Sequence, residues 1–351
     1  MVAAPVPPVT TVTSAPAAVD PLAALPGRKA DVVPALVIVA FALLALPLVG
    51  SGSTWVTLTL AALAMGMMLF IMASGMTLVF GLMDVMNLGH AAFVAVGAYA
   101  ATSLVGPLSP WLTSDSALEN IAAVVAIALA AMLATAIVGW VFERLFIKPA
   151  QGNHLKQILI TIGAMIIIEQ LLLVVWGANQ MMLPLPTALR GSLVFGEVAV
   201  ERYRLVSVGV GLLVFVGLLL MLARTRVGLL IRAGVENREM VEALGYRIRR
   251  LFVAVFVAGA GLAGLGGAMW GFYREQFTVS IGAEVLVQIL IVVIIGGLGS
   301  VSGCFAAAIL IALSTNYVSF VAPDFALVSN IAVMMLVLLW RPRGLYPLGA
   351  Q

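Results

Sequence analysis

Charge is what this sequence has least of. Its 351 residues carry 18 Lys or Arg and 15 Asp or Glu, 9% together, against about 25% in an ordinary soluble domain. That scarcity, with 63% hydrophobic residues, excludes a soluble globular chain. The single cysteine, Cys304, permits neither an internal disulfide nor a thiolate metal cluster, and the two histidines, His90 and His154, lie too far apart to suggest a histidine-based metal site. No metal or cofactor is expected on the chain. Its only lysines are Lys29, Lys148 and Lys156, none within the G-x-x-x-x-G-K-[ST] pattern whose lysine reaches nucleotide phosphates, which excludes ATP hydrolysis by a P-loop. No H-E-x-x-H is present, and "GSVSG" lacks the order of an intramembrane serine protease, so nothing here indicates an enzyme.

Long apolar runs fill the space that charge leaves. Segments near 32–50, 55–80, 85–105, 120–142, 156–177, 205–223, 251–271, 283–296, 300–320 and 325–340 have the composition of helices crossing a hydrocarbon core of about 30 Å. The expectation is an all-α polytopic bundle of about ten spans, the transmembrane domain covering 32–345. Residues 1–31, interrupted by prolines, read as a flexible tail without the apolar stretch of a signal peptide, and 346–351 as a short C-terminal tail. Basic residues test the count, because cytoplasmic loops are enriched in them. With ten spans and the N-terminus inside, 14 Lys or Arg fall on the cytoplasmic side and four (Arg190, Arg202, Arg204 and Arg274) outside. Removing any one span scrambles that division, so both termini are placed in the cytoplasm. The net charge of +3 then belongs to those loops and implies no nucleic-acid partner.

Two junctions read as helix interruptions. "FGLMDVMNLGHAAFVAVGAYAA" brings Asp84, Asn87 and His90 into an apolar run, and "IIGGLGSVSGCFAAA" offers Gly296, Gly297, Gly299 and Gly303 within eight residues. Broken helices are tolerated in a membrane only where they are buried in protein or line a wet cavity. The glycines fit close helix packing equally well, and His90 alone fits a hydrogen-bonded structural role better than solute contact. Asn87, His90, Gly296, Gly297, Gly299 and Glu284, the last at the outer end of the eighth span, are the candidate pathway residues.

Against this background, the 27 residues 224–250 hold ten of the 33 charges. Within them "ENREMVEALGY" carries the signals of a short helix: Asn237 as N-cap, Glu239 in the first turn and Gly245 as terminator. Met240, Ala243 and Leu244 share one face. Such a helix can rest on anionic lipid, remain solvated, or dock into a groove of a cytoplasmic protein. The interspersed Glu236, Glu239 and Glu242 favour the protein over the lipid.

Four ordered segments resemble the permeases of branched-chain amino acid ABC importers: "LVFGLMDVMNLGHAAFVAVGAY", "ERLFIKPAQGNHLKQILITIGAMIIIEQLLLVVWG", "GLLIRAGVENREMVEALGYRIRRLFVAVFVAGAGLAGLGG", and "IIGGLGSVSG" with the closing "RPRGLYP". The resemblance spans about residues 55–348. It implies a pore formed with a second related permease subunit, two cytoplasmic ATP-binding subunits that use the ATP, an extracytoplasmic solute-binding protein, a bacterial inner-membrane location, and alternating access. It assigns Arg232, Ala233, Glu236, Asn237, Glu239, Glu242, Ala243, Leu244 and Gly245 to the contact with the ATPase, while Glu169 matches the second segment as a structural residue. Asp84 departs from the pattern, which would have an uncharged or basic residue there; Arg232 is one cytoplasmic arginine that fits as its partner. The solute is expected to be a branched-chain or other apolar amino acid, although relatives carry urea, amides and aromatic acids. An ion-coupled secondary transporter is the competing function, and it leaves the structured loop unexplained.

Overall fold

The computed structural model describes residues 32–83, 85 and 87–346. Asp84 and most of both tails lie outside the described residues, as do the side chains of Leu82, Val235, Glu236 and Arg238. The helices are α1 (Val33–Leu44), α2 (Leu46–Val49), α3 (Gly52–Met83), α4 (His90–Ser103), α5 (Ser109–Leu112), α6 (Ala117–Phe142), α7 (His154–Trp176), α8 (Arg202–Arg224), α9 (Arg226–Glu236), α10 (Arg238–Ala243), α11 (Ile248–Arg274), α12 (Ile281–Gly296), α13 (Val301–Val321) and α14 (Ala326–Trp340). Every expected span is helical, so the chain is an all-α polytopic bundle and a multi-pass membrane protein. Seven helical stretches are long and apolar enough to cross a membrane; α1 with α2, α4 and α12 are shorter.

α3 and α11 form the centre, each two-thirds buried over its most apolar window, while α6, α7, α8 and α14 turn most of their surface outward. Apolar side chains gain little from leaving lipid, so close packing of small residues must hold the bundle. Gly75 and Gly259 show how: a Cβ on Gly259 would stand 2.7 Å from the Gly75 carbonyl oxygen. Around this crossing pack Phe93, Phe142 and Phe256, the first two with ring centroids 5.2 Å apart.

Loops gather at two ends. At one, Met83, residues 151–154, α9–α10 and the α12–α13 turn lie together. At the other, two small antiparallel ladders close the loops: β1 (Met181–Met182) with β4 (Gln276–Phe277), and the hairpin of β2 (Ser192–Phe195) with β3 (Val198–Glu201).

Candidate functional site

The basic segment 224–250 folds as two helices where one was expected. Thr225 starts α9, its hydroxyl accepting from the Gly228 amide at 3.3 Å, and Asn237 starts α10, its Oδ1 accepting from the Met240 amide at 2.9 Å. Gly245 follows α10 with φ 88°, a left-handed conformation that costs glycine little. Arg232, Ala233 and Glu236 belong to α9, whereas Glu239, Glu242 and Ala243 belong to α10. The sequence signal for α9 was the threonine cap with Val227, Leu230 and Ile231 at helical spacing.

α10 divides its apolar residues between two faces. Val241 is buried with Ile248 and Phe252 in a small cluster of its own, packed against Met83, Leu230, Ala233 and Leu251. Met240 and Leu244 point away, 62% and 71% exposed, with Tyr246 beside them at 52%. Arg232, Glu239 and Glu242 are exposed around this face. Met83 also packs against the main core, so the cluster joins α10 to the end of α3. A cavity of about 230 Å³ lies at the joint, lined by Met83, Val85, Gln151, Gly152, His154, Gln157 and Phe252.

Beyond Met83 the chain turns back into the bundle before helix resumes. His90, the first residue of α4, donates from Nε2 to the Met72 carbonyl at 2.9 Å. Because a carbonyl only accepts, the Nε2–H tautomer is present. Met72 lies eleven residues before the end of α3, so α4 begins about 16 Å inside it. The Leu88 amide donates to the Thr161 hydroxyl of α7 at 3.3 Å, tying the turn to a neighbouring span. Asn87 is 1% exposed, and neither polar atom of its amide has a hydrogen-bond partner among the described residues.

α12 also begins within the bundle, its Gly282 so close to α4 that a Cβ there would strike the Ala91 carbonyl. Glu284 follows in that first turn. Its carboxylate accepts from the Ser280 hydroxyl at 2.7 Å and lies 3.6 Å from the Arg274 guanidinium, both ion-pair members half-exposed. At its far end, α12 stops at Gly296, which packs backbone to backbone on Gly303. Gly297 and Gly299 turn the chain with φ 96° and 80°. All three of Gly296, Gly297 and Gly299 are buried. Gly299 lies against Gly81 of α3, so this break is filled by protein. Residues after α14 close over it: the amides of Leu345 and Tyr346 donate to the carbonyls of Ile295 and Gly296 at 2.8 and 3.2 Å, and Leu345 is 1% exposed. The structure thus brings Asn87, His90 and the start of α12 to one interior junction and puts the glycines at the opposite end of α12. Sequence reasoning missed Arg274 as the partner of Glu284, the joint at Met83, and the role of the closing "RGLY".

The model of the family described as branched-chain amino acid transport system / permease component matches residues 58–339. The permease protein BraD of the high-affinity branched-chain amino acid transport system of Pseudomonas aeruginosa is 27% identical over 81% of this chain and 92% of its own length. LivH of Escherichia coli K12, named a permease protein of the same kind of system, is 25% identical over 78% of this chain and 90% of its own. LivM of that organism, also a permease protein, is 32% identical over 32% of this chain and 27% of its own. No solved structure matches the chain. With most of its length matched from the second span to the last, the chain belongs to the family of permease components of branched-chain amino acid transport systems.

Proposed function

We propose that this chain is the membrane-spanning subunit of an ABC importer that carries a small apolar amino acid inward across a bacterial inner membrane. One of two ATP-binding subunits docks on α9–α10, a second, related permease completes the pore, and a solute-binding protein delivers at the opposite face. The observation that carries this reading is the exposed face of Met240 and Leu244 on a helix capped at both ends and braced from behind by Val241. A helix that only rested on lipid would carry a basic polar face, whereas Glu239 and Glu242 are exposed here. The charge count supports the orientation, since the end that holds α9–α10 gathers Lys156, Arg224, Arg226, Arg232 and Arg247. The partial similarity to LivM as well as to LivH supports a related second permease.

Coupling needs an ATPase contact that favours different pore states in different nucleotide states. The joint at Met83 suits that task. It connects the docked helix to the α3–α4 turn, and the adjoining cavity leaves that turn room to move. The meeting of Asn87, His90 and the first turn of α12, where two helices begin inside the bundle, supports a solute path beside that junction.

The test is capture of ATP-binding subunits by the tagged protein in detergent, with native α10 and with Met240→Asp plus Leu244→Asp. Native capture that the double variant loses, with its melting temperature kept, supports the reading. If the native protein captures no ATPase, and uptake in vesicles follows an ion gradient, the reading falls.

A further inference from the structure

We infer that Arg274 and Glu284 form a subsite for the zwitterionic head of an α-amino acid, the carboxylate taken by Arg274 and the ammonium by Glu284. The inference rests on the permease reading above and adds to it the chemical class of the solute's head and the two groups that meet it. Four observations carry it.

The first is position. Gly282 packs on Ala91 where α4 and α12 both begin inside the bundle, and Glu284 lies in that same first turn. An ion pair at such a depth is costly unless it faces water or protein. Glu284 and Arg274 are nevertheless 49% and 52% exposed on this subunit. Their open sides therefore face water or a partner subunit, not lipid.

The second is looseness. The contact is a single one of 3.6 Å, longer than a hydrogen bond, in place of the two parallel bonds an arginine makes with a carboxylate at full strength. Exposed pairs of this kind contribute about 0–1 kcal/mol. A zwitterion brings both charges and replaces each partner with its own, so neither group is left unpaired when the solute enters. The hydroxyl of Ser280, itself 2.8 Å from that of Thr278, already holds one Glu284 oxygen and keeps the carboxylate aimed.

The third is what lies along the helix. Val287 and Ile294 lie on the same side of α12 as Glu284, at 56% and 40% exposure, with Leu298, 50% exposed, in the turn after the helix. An apolar side chain therefore finds apolar surface immediately inward of the charged pair. The fourth is the approach. Arg274 also lines a cleft of about 610 Å³ at the ladder end, together with Arg190, Glu201, Arg204, Tyr273 and Glu275. This entrance offers both signs of charge, as a zwitterion requires. A neutral amide such as urea needs neither charge, and an anion would be served by the arginines alone.

The experiment uses the assembled transporter in proteoliposomes, with saturating binding protein loaded with L-leucine, and compares native protein with Arg274→Gln, Glu284→Gln and the exchanged pair Arg274→Glu with Glu284→Arg. Each single variant is expected to lower the maximal uptake rate about tenfold, the effect of about 1.4 kcal/mol on the rate-limiting step. The exchanged pair is expected to recover most of it, because both charges remain. Capture of ATPase, melting temperature and affinity for the binding protein are measured alongside and should not change. Unchanged uptake in the single variants overturns the inference. So does a loss of binding-protein affinity, which would make the pair a protein contact. A native transporter that holds its ATPase but does not move leucine overturns the amino-acid subsite and leaves the permease reading standing; absence of the ATPase removes that reading instead.

Discussion

Adding one methyl group at Gly259 tests whether the bundle is held by backbone approach. A Cβ there stands 2.7 Å from the Gly75 oxygen, where ordinary contact begins at 3.4 Å, so α3 and α11 must part by about 0.7 Å. Val79 blocks the other escape at 3.2 Å. Overpacking of this kind costs about 1–3 kcal/mol, and parting the helices also loosens the dispersion contacts of the aromatic cluster beside the crossing. The same change at Gly163 in α7 or Gly209 in α8 meets nothing within 4 Å. There alanine removes the backbone entropy penalty of a helical glycine, worth about 0.5–1 kcal/mol. One methyl should therefore act with opposite sign at two kinds of site. The assay is thermal unfolding of the purified subunit in detergent, followed by loss of monodispersity. Gly259→Ala and Gly75→Ala should melt lower than native, and Gly163→Ala and Gly209→Ala at or above it. Shifts of one sign at all four positions, or no shift at Gly259, would refute the argument that this crossing is set by backbone contact.

Three further outcomes are expected. Asn237→Ala removes the cap on the Met240 amide and Gly245→Ala strains a φ of 88°, each costing about 1 kcal/mol, so both should weaken ATPase capture while Gly245→Asn retains it. Met83→Ala should leave ATPase capture intact but lower uptake per ATP hydrolysed by about fivefold or more, with Met83→Leu restoring it, as measured in proteoliposomes. Leu345→Ala, at a position 1% exposed, should cost about 2–5 kcal/mol and open the segment after α14 to limited proteolysis.

The helices were legible because each apolar run reports its own burial in lipid and needs no partner to be recognised. The ends of α10 were legible too, since Asn237 and Gly245 satisfy orphan backbone groups locally. The sequence does not say how deep a helix begins. That α4 starts level with Met72 depends on a bond between residues eighteen positions apart, and no periodicity encodes it. Nor does it pair Arg274 with Glu284, which lie on different helices joined by a turn. The hairpin "SLVFGEVAVE" was available in principle, with Gly196 at φ 63° between two alternating strands, but its strands are only four residues each and carry little signal beside the spans. The buried glycines after α12 illustrate a different limit. A break lining a cavity and a break packed with protein have the same composition, and only the neighbours Gly81, Gly303 and Leu345 tell them apart.

The depth at which α4 begins has a consequence for how the protein enters the membrane. Its 14 residues span about 21 Å, short of the roughly 30 Å hydrocarbon thickness, and it is preceded by the polar Asn87 and opens on His90. Released alone from the insertion machinery, such a segment would leave His90 in lipid without its acceptor. α3, at 32 residues or about 48 Å, supplies the missing depth, and its Met72 carbonyl supplies the acceptor for His90. The two are therefore expected to leave the translocon as a hairpin, with α3 held back until α4 has been synthesised. Partitioning of the third span is then a property of the pair, and a change at His90 would be felt first as a defect in membrane integration, before any transport cycle begins.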